Sequence, residues 1–525
     1  MTFQHAPSGA AGQTGVVENP DDLRRLVADA STADSAEARR SAVAAVPPSL
    51  VESLLHAGLR DGTGLKVLGS GVGASPGMAS GVLCLTAEAV LDASDRGEAA
   101  VLVCDETTPA DEIGMQLADG IVTARGGMAS HAAVVARGWG IPAVVGLAGL
   151  QVAGDHAVLG GRRLEEWSAV SLDGTTGEVF AGVAEVAVAD EIPELDVLLS
   201  WADEVRGDRV GVRANADRSD DAARARSFGA EGIGLCRTEH MFLGDRLPVI
   251  RRFLLAEDPG EGAAALEELG AVQRVDLAAV LEAMAPLPVI VRLLDAPLHE
   301  FLGDDSPLGA EHNPMLGVRG IRLAVLREGL YRMQTRALLA AMADLRDSGS
   351  HPHAAVMLPL VATAAELELV RGWVLDEIDV AAPDEPPPVG TMIETPRAAL
   401  LAGDMAHHAD FFSFGTNDLT QMVFGFSRDD VEQRIMGEYL SRGLLPDNPF
   451  ERLDPGAVAP LVAAATRAGR LAHPGLEVGV CGEHGGDPAS IHLLVAAGVD
   501  YVSCSPFRVP IARLAVAQAL ISLDA

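Results

Sequence analysis

Two groups of residues in this 525-residue chain carry chemical promise. The first is the stretch Thr123–Arg137, TARGGMASHAAVVAR. Gly126, Gly127 and the small hydroxylated Ser130 precede His131, where a glycine-rich turn gives way to an alanine- and valine-rich helical pattern. A helix start presents backbone N–H groups without intrahelical partners and the positive end of the helix dipole, which favours an anion. A histidine placed there can hold a phosphoryl group while the backbone shields its charge. A turn followed by an ordinary cap-region histidine satisfies the same pattern, so this stretch does not decide the matter alone.

The second group lies at the ends of short apolar runs downstream: Arg237 with Glu239, Arg292 with Asp295, Glu394, Asn417 with Asp418, Cys481, and Ser503 to Ser505. Each has a plain structural explanation, since arginines pair with acids and a cysteine in an apolar run is mostly a buried hydrophobe. Together they make chemical sense. Two arginines can clamp a phosphate and neutralise charge as a phosphoryl group leaves. Glu394 and Asp418 are hard oxygen donors suited to one Mg²⁺, with water and substrate oxygens completing the octahedron. Asn417 can donate hydrogen bonds to phosphate, and a thiol such as Cys481 can deliver a proton to carbon. Those parts describe a small, anionic, phosphorylated enol.

These groups need a scaffold that brings distant residues together. Eight apolar runs, most separated by helical patterns, occupy 210–216, 232–239, 289–295, 355–361, 389–395, 411–418, 478–484 and 501–506. That is the arithmetic of a (β/α)8 barrel over 205–525, whose active site lies at the carboxyl ends of the strands. A doubly wound sheet is the other architecture, but it does not usually need eight strands. Upstream, residues 67–183 alternate apolar runs with glycine-rich turns (VLCLTAEAV, AAVLVCDE, DGIVTARGG, IPAVVG, VSLDGTTGEV), a compact β/α unit around His131. Residues 184–204 are expected as a hinge with a connecting helix, residues 21–66 as a short helical piece, and residues 1–20 as disordered.

Composition narrows the function classes. The formal net charge is −35, from 74 acidic and 39 basic residues. Such a surface repels phosphate backbones and anionic lipids, which argues against nucleic acid and membrane as partners. Lys66 is the single lysine, so anion binding falls to arginine, and Schiff-base chemistry is almost excluded. Five scattered cysteines without metal-ligand spacing give neither a disulfide framework nor a zinc site. No signal-peptide pattern opens the chain, so a cytoplasmic setting is expected.

The stretches GGMASHAAVVARGWG, GAEGIGLCRTEHMF, VRLLDAPLHEFL, NPMLGVRGIRL, GTMIETPRAAL, FFSFGTNDLTQMVFGFSRDD, VGVCGEHGGDPAS and YVSCSPFRVPIARLAVAQA resemble the PEP-utilising enzymes. The likeness is strongest to the pyruvate, phosphate dikinases and more distant to PEP synthase and the PTS Enzyme I. It implies a swivelling carrier domain with His131 as the phosphohistidine. It further implies PEP or pyruvate binding by Arg237, Arg292, Glu394, Gly415, Thr416, Asn417 and Asp418, and Mg²⁺ on Glu394 and Asp418. Cys481 becomes the acid that protonates C3 of the enolpyruvate, and Arg319 a further phosphate-side arginine. A homodimer through the barrel is the family expectation.

The dikinases place an ATP-grasp domain before the carrier domain, and nothing of that size stands in this sequence. Residues 36–59 resemble the helical connector that follows it. The resemblance therefore supports a dikinase-like phosphotransferase restricted to the PEP/pyruvate–His131 half-reaction, with ATP chemistry absent or supplied by a separate ATP-grasp or phospho-acceptor partner. An Enzyme I-like protein phosphotransferase and a non-catalytic PEP sensor are the alternatives.

Overall fold

The computed structural model describes residues 17, 19–55, 58–59, 65–107, 111–127, 130–184, 186–187, 192–242, 246–302 and 311–525. The expected disorder of residues 1–20 therefore falls almost wholly outside the described residues.

Three short helices come first: α1 (Pro20–Ala33), α2 (Ala36–Ala45) and α3 (Pro48–Leu54). Asn19 caps the first and Ser35 the second through side-chain oxygens, and proline occupies the first turn of α1 and α3, where its missing N–H costs nothing. Leu23, Val27, Val43, Leu50 and Val51 turn inward against two later helices.

Residues 65–184 build the unit that contains His131. Its eight-stranded sheet runs, in spatial order, through 67–70, 178–181, 169–173, 78–84, 100–104, 120–123, 143–145 and 72–75. The four strands Met78–Cys84, Ala100–Cys104, Gly120–Thr123 and Ala143–Val145 are parallel, and the others pair antiparallel. A small antiparallel sheet, 151–165, covers one side. The run VLCLTAEAV divides: its first half ends a strand at Cys84, and Thr86 then caps a helix, Ala87–Asp95. The Thr-x-x-Ala capping contact ends the strand where hydrophobicity alone continues it.

Helix α4 (His131–Trp139) begins at the histidine, with the Ser130 hydroxyl accepting from Ala133 N at 3.4 Å. Gly126 sits at φ +111° against Ser130, a conformation glycine adopts freely. The other end of α4 meets the C-terminal region: Arg137 pairs with Glu451 at 2.9 Å, and a Cβ on Gly140 would fall within 2.3 Å of the Phe507 ring.

From Pro193 the chain forms α5 (Pro193–Arg206), which buries Leu195, Leu198, Leu199 and Trp201. Eight parallel strands then close a barrel: β1 (Gly211–Asn215), β2 (Ile233–Arg237), β3 (Pro288–Arg292), β4 (His353–Leu358), β5 (Val389–Ile393), β6 (Phe411–Phe414), β7 (Glu477–Val480) and β8 (Tyr501–Cys504). All eight coincide with the runs read from the sequence. The final helix, α6 (Val509–Asp524), packs against α5 and the N-terminal helices, with Ile511, Leu514 and Ala517 in their shared apolar cluster. Pro506–Asp524 is long and apolar enough to cross a membrane by composition, but most of it is buried as a core helix.

The barrel interior is filled by Leu235, Ile290, Ala355, Met357, Met392, Phe411, Cys481 and Tyr501. Tyr501 fits because β7 offers a glycine opposite it: a Cβ on Gly479 would lie 1.8 Å from the tyrosine Cζ. Gly479→Ala therefore overfills the barrel and should cost about 1–3 kcal/mol or more. The urea midpoint of the barrel transition reads this loss, and adding Tyr501→Leu should recover part of it.

Candidate active site

Every barrel residue singled out from the sequence lies at or just beyond a strand's carboxyl end, except Arg319, which comes from the long connection after β3. The structure brings that residue to the same rim. Asp295 organises the group. Its carboxylate is fully buried and accepts from Arg319 Nε at 2.8 Å and Nη2 at 2.7 Å, while Arg292 Nη1 lies 3.2 Å away. Arg319 continues to Asp418 at 3.3 and 3.4 Å, and Arg292 also pairs with Glu239. Among the described residues, Arg292 Nε and Glu239 Oε2 are buried with no hydrogen-bond partner. A polar ligand at the rim would meet that need.

Glu394 is held on one side, where Oε1 accepts the Leu360 backbone N–H at 2.5 Å. Its other oxygen faces Gly415, whose missing side chain makes room: a Cβ there would lie 2.7 Å from Glu394 Oε2. Burial, then the charges of Asp418 and Asp295, push the Glu394 carboxyl well above the usual carboxylate range. A carboxylate whose proton affinity is raised by a neighbouring carboxylate suits a divalent cation, because a cation removes the repulsion. Among the described residues no cluster of three or more His, Cys, Asp or Glu side chains forms a complete metal cage. Two carboxylates with open positions suit Mg²⁺, which keeps water and substrate oxygens.

Cys481 follows β7, buried, with its Sγ 3.7 Å from the Phe414 carbonyl. Burial pushes the thiol pKa up to about 11, with the neighbouring Ser413 hydroxyl and the Arg292 charge pulling slightly the other way. The group is thus a protonated thiol throughout the neutral range, a donor rather than a nucleophile. Its backbone is fixed from β1 and β8: Asn215 Nδ2 donates to the Cys481 carbonyl at 2.9 Å, and the Ser503 hydroxyl donates to Asn215 Oδ1 at 2.6 Å.

Thr416, Asn417 and Asp418 open a helix that runs to Phe424. Asn417 is clamped by residue 483: its Nδ2 donates to Glu483 Oε1 at 3.3 Å, and its Oδ1 accepts the Glu483 N–H at 3.1 Å. Arg428 grips Glu483 at 2.7 and 2.9 Å and reaches Glu432 at 3.3 Å. His484 is buried between the Thr416 hydroxyl (2.8 Å) and the Pro449 carbonyl (2.9 Å). Burial lowers its pKa, so the neutral ring donates from Nε2 to Pro449 and accepts at Nδ1 from Thr416. Arg237, at the end of β2, sits beside Asp217, whose Oδ2 lies 3.5 Å from its guanidinium.

The sequence reading did not single out Arg428, Asp217, His240 or His484. Asp217 and His484 had an available signal, since they stand two and four residues past a strand end. Arg428 had none in periodicity, because it enters the site from the start of a short helix eleven positions past Asn417. His131 lies on the separate unit, and the phosphoryl-carrier reading of its side chain lies outside the described residues.

The chain's similarity to known proteins follows the same division. Residues 194–521 match the PEP-binding domain of PEP-utilising enzymes, and residues 97–177 match the mobile domain of PEP-utilising enzymes. The chain is 45% identical to the chloroplastic pyruvate, phosphate dikinase 1 of Arabidopsis thaliana, with 92% of this chain and 53% of that protein covered. It is 44% identical to pyruvate, phosphate dikinase 2 of Zea mays, with 92% and 58% covered. The chain thus spans about half the length of the curated relatives it matches. A solved citrate lyase from Burkholderia xenovorans LB400 is 15% identical with a TM-score of 0.35, covering 58% of this chain and 76% of that one, too distant to bear on the site.

Proposed function

The chain belongs to the PEP-utilising enzyme family, and we propose that its two units together move a phosphoryl group reversibly between PEP and His131, leaving pyruvate. The observation that carries this reading is the convergence on one rim of Arg292, Arg319, Asp295, Glu394 and Asp418 with a thiol that burial keeps protonated. An anion clamp explains the arginines, and proton transfer to carbon gives the protonated thiol beside them a chemical role.

In this reading Arg237 and Arg292 hold the PEP phosphate and offset charge on the phosphoryl group in transit. Asn417 orients the substrate from its clamp on Glu483, and Arg319 fixes Asp418 in place. Glu394 and Asp418 would hold Mg²⁺, which when bound supplies positive charge next to the phosphate and the enolate oxygen. The P–O bond of PEP breaks as the P–N bond to His131 forms. The enolate that leaves takes the proton of the Cys481 thiol at C3, giving pyruvate, and the thiolate recovers a proton from solvent. In the reverse direction the same thiolate removes the C3 proton. His131 reaches PEP by movement of its unit relative to the barrel.

The deciding experiment incubates the chain with Mg²⁺ and PEP labelled in its phosphate. Acid-labile label on His131 with an equal amount of pyruvate is expected, and His131→Ala should show neither. Equal labelling of that variant, or no label on the wild type, rejects the proposal.

A further inference from the structure

Of the three rim arginines, Arg292 and Arg319 are locked in buried ion pairs, whereas Arg237 has a counter-ion that it does not hold alone. Asp217, two residues past β1, accepts the Arg237 backbone N–H on Oδ1 at 2.5 Å. Its Oδ2 faces both the Arg237 guanidinium at 3.5 Å and His240 Nδ1 at 2.8 Å. The carboxylate is largely buried, while the His240 side chain is 46% exposed and can exchange a proton with solvent. The charged groups around the imidazole are Asp217 on the β1 loop, and Arg237 and Glu239 on its own segment. Glu239 is already engaged by Arg292, so Asp217 is the acceptor His240 uses.

We propose that His240 positions Arg237 by sharing the Asp217 carboxylate with it, and so sets the affinity of the rim for the phosphate of PEP. This inference rests on the PEP reading of the site. With His240 protonated, the imidazolium balances Asp217, and the Arg237 charge is left over for the ligand. With His240 neutral, Asp217 and Arg237 balance each other, the guanidinium is drawn toward the carboxylate, and the attraction for a phosphate falls. Burial alone would lower the imidazole pKa, but the hydrogen bond and charge of Asp217 more than offset it and leave it above the ordinary histidine value. Asp217 itself stays ionised: burial would raise its pKa, and His240 and Arg237 bring it down to about 2.

The test measures equilibrium binding of PEP with Mg²⁺ to the full chain carrying His131→Ala, which blocks transfer, with and without His240→Gln or His240→Lys. PEP ionises identically in every arm, so ratios between arms isolate residue 240. Relative to the parent, His240→Gln should weaken binding about three- to tenfold at about pH 6, and the ratio should fall toward one as pH rises through the histidine's ionisation. His240→Lys, a permanent cation beside Asp217, should keep the tight, acid-side affinity across that range. A packing role alone would give a ratio independent of pH, and that result overturns the proposal, as does a lysine variant as weak as the glutamine one. Failure of the parent to bind PEP at all overturns both this inference and the function it rests on. Binding with a flat ratio overturns this inference alone.

Discussion

Replacing Cys481 with alanine should slow pyruvate formation from PEP by about 10²–10⁴-fold, the usual worth of a placed general acid. PEP binding should stay within about twofold, because the thiol meets the substrate at carbon and contributes little to phosphate binding. Two readouts separate this from general damage. Exchange of the C3 protons of pyruvate with solvent should vanish in the variant, since no other group among the described rim residues is poised to take that proton. Alkylation of Cys481 by iodoacetamide in the wild type should be slow at neutral pH and rise toward pH about 11, where burial places the thiol's ionisation. Fast alkylation at pH 7 would mean a thiolate, and a thiolate cannot serve as the donor. Persisting C3 exchange in Cys481→Ala would assign the proton to another group.

The largest effect on stability is expected at Asp295. Asp295→Ala removes the carboxylate that faces both Arg292 and Arg319 in a fully buried setting. Breaking a buried ion pair from one side leaves uncompensated charge and costs about 3–5 kcal/mol. Glu239 and Asp418 remain to the two arginines but do not replace the shared acceptor. The drop should appear as a lower denaturant midpoint for the barrel. Catalysis should fall as well, because Arg319 then loses its brace and with it the placement of Asp418. The pH dependence has a definite sign. Burial alone would raise the Asp295 pKa, but Arg319 and Arg292 hold it below the ordinary carboxylate value. Its contribution is therefore present above about pH 4, the unfolded carboxylate value, and is lost as pH falls through the folded one. An unchanged midpoint in Asp295→Ala would show that the arginines find solvent or other partners.

The barrel was readable because its strands are short, apolar and separated by helical patterns, and each coincides with one run. The same logic located Arg237, Arg292, Glu394, Asp418 and Cys481: in a parallel barrel the residue that ends a strand faces the rim, so counting to the end of an apolar run finds it. The support behind those residues was less readable. The clamp of Glu483 on Asn417, and of Arg428 on Glu483, joins loops after β6 and β7 that are far apart in the chain. No periodicity encodes which glutamate meets which arginine when both are common. The VLCLTAEAV run shows a different limit, since apolar content continues past the point where Thr86 turns strand into helix. Gly479 is a third case. It reads as an ordinary strand glycine until Tyr501, twenty-two positions away, is seen to occupy its space.

The chain enters the His131 unit after α3 and leaves it before α5, and both helices are anchored in the same apolar cluster with α6. Between anchor and unit, Gly58–Leu59 pairs antiparallel with Val186–Ala187. The unit thus hangs from two strands fastened side by side. A single thread lets its load spin freely, whereas a paired ribbon resists torsion and bends across its face. In the movement proposed above, such a ribbon would hold the unit to an arc and keep one side of it toward the barrel. Under the proposed transfer, the encounter of His131 with the rim would be intramolecular, with an effective concentration of about millimolar or more. Dilution of the protein should then leave the rate of transfer to His131 unchanged.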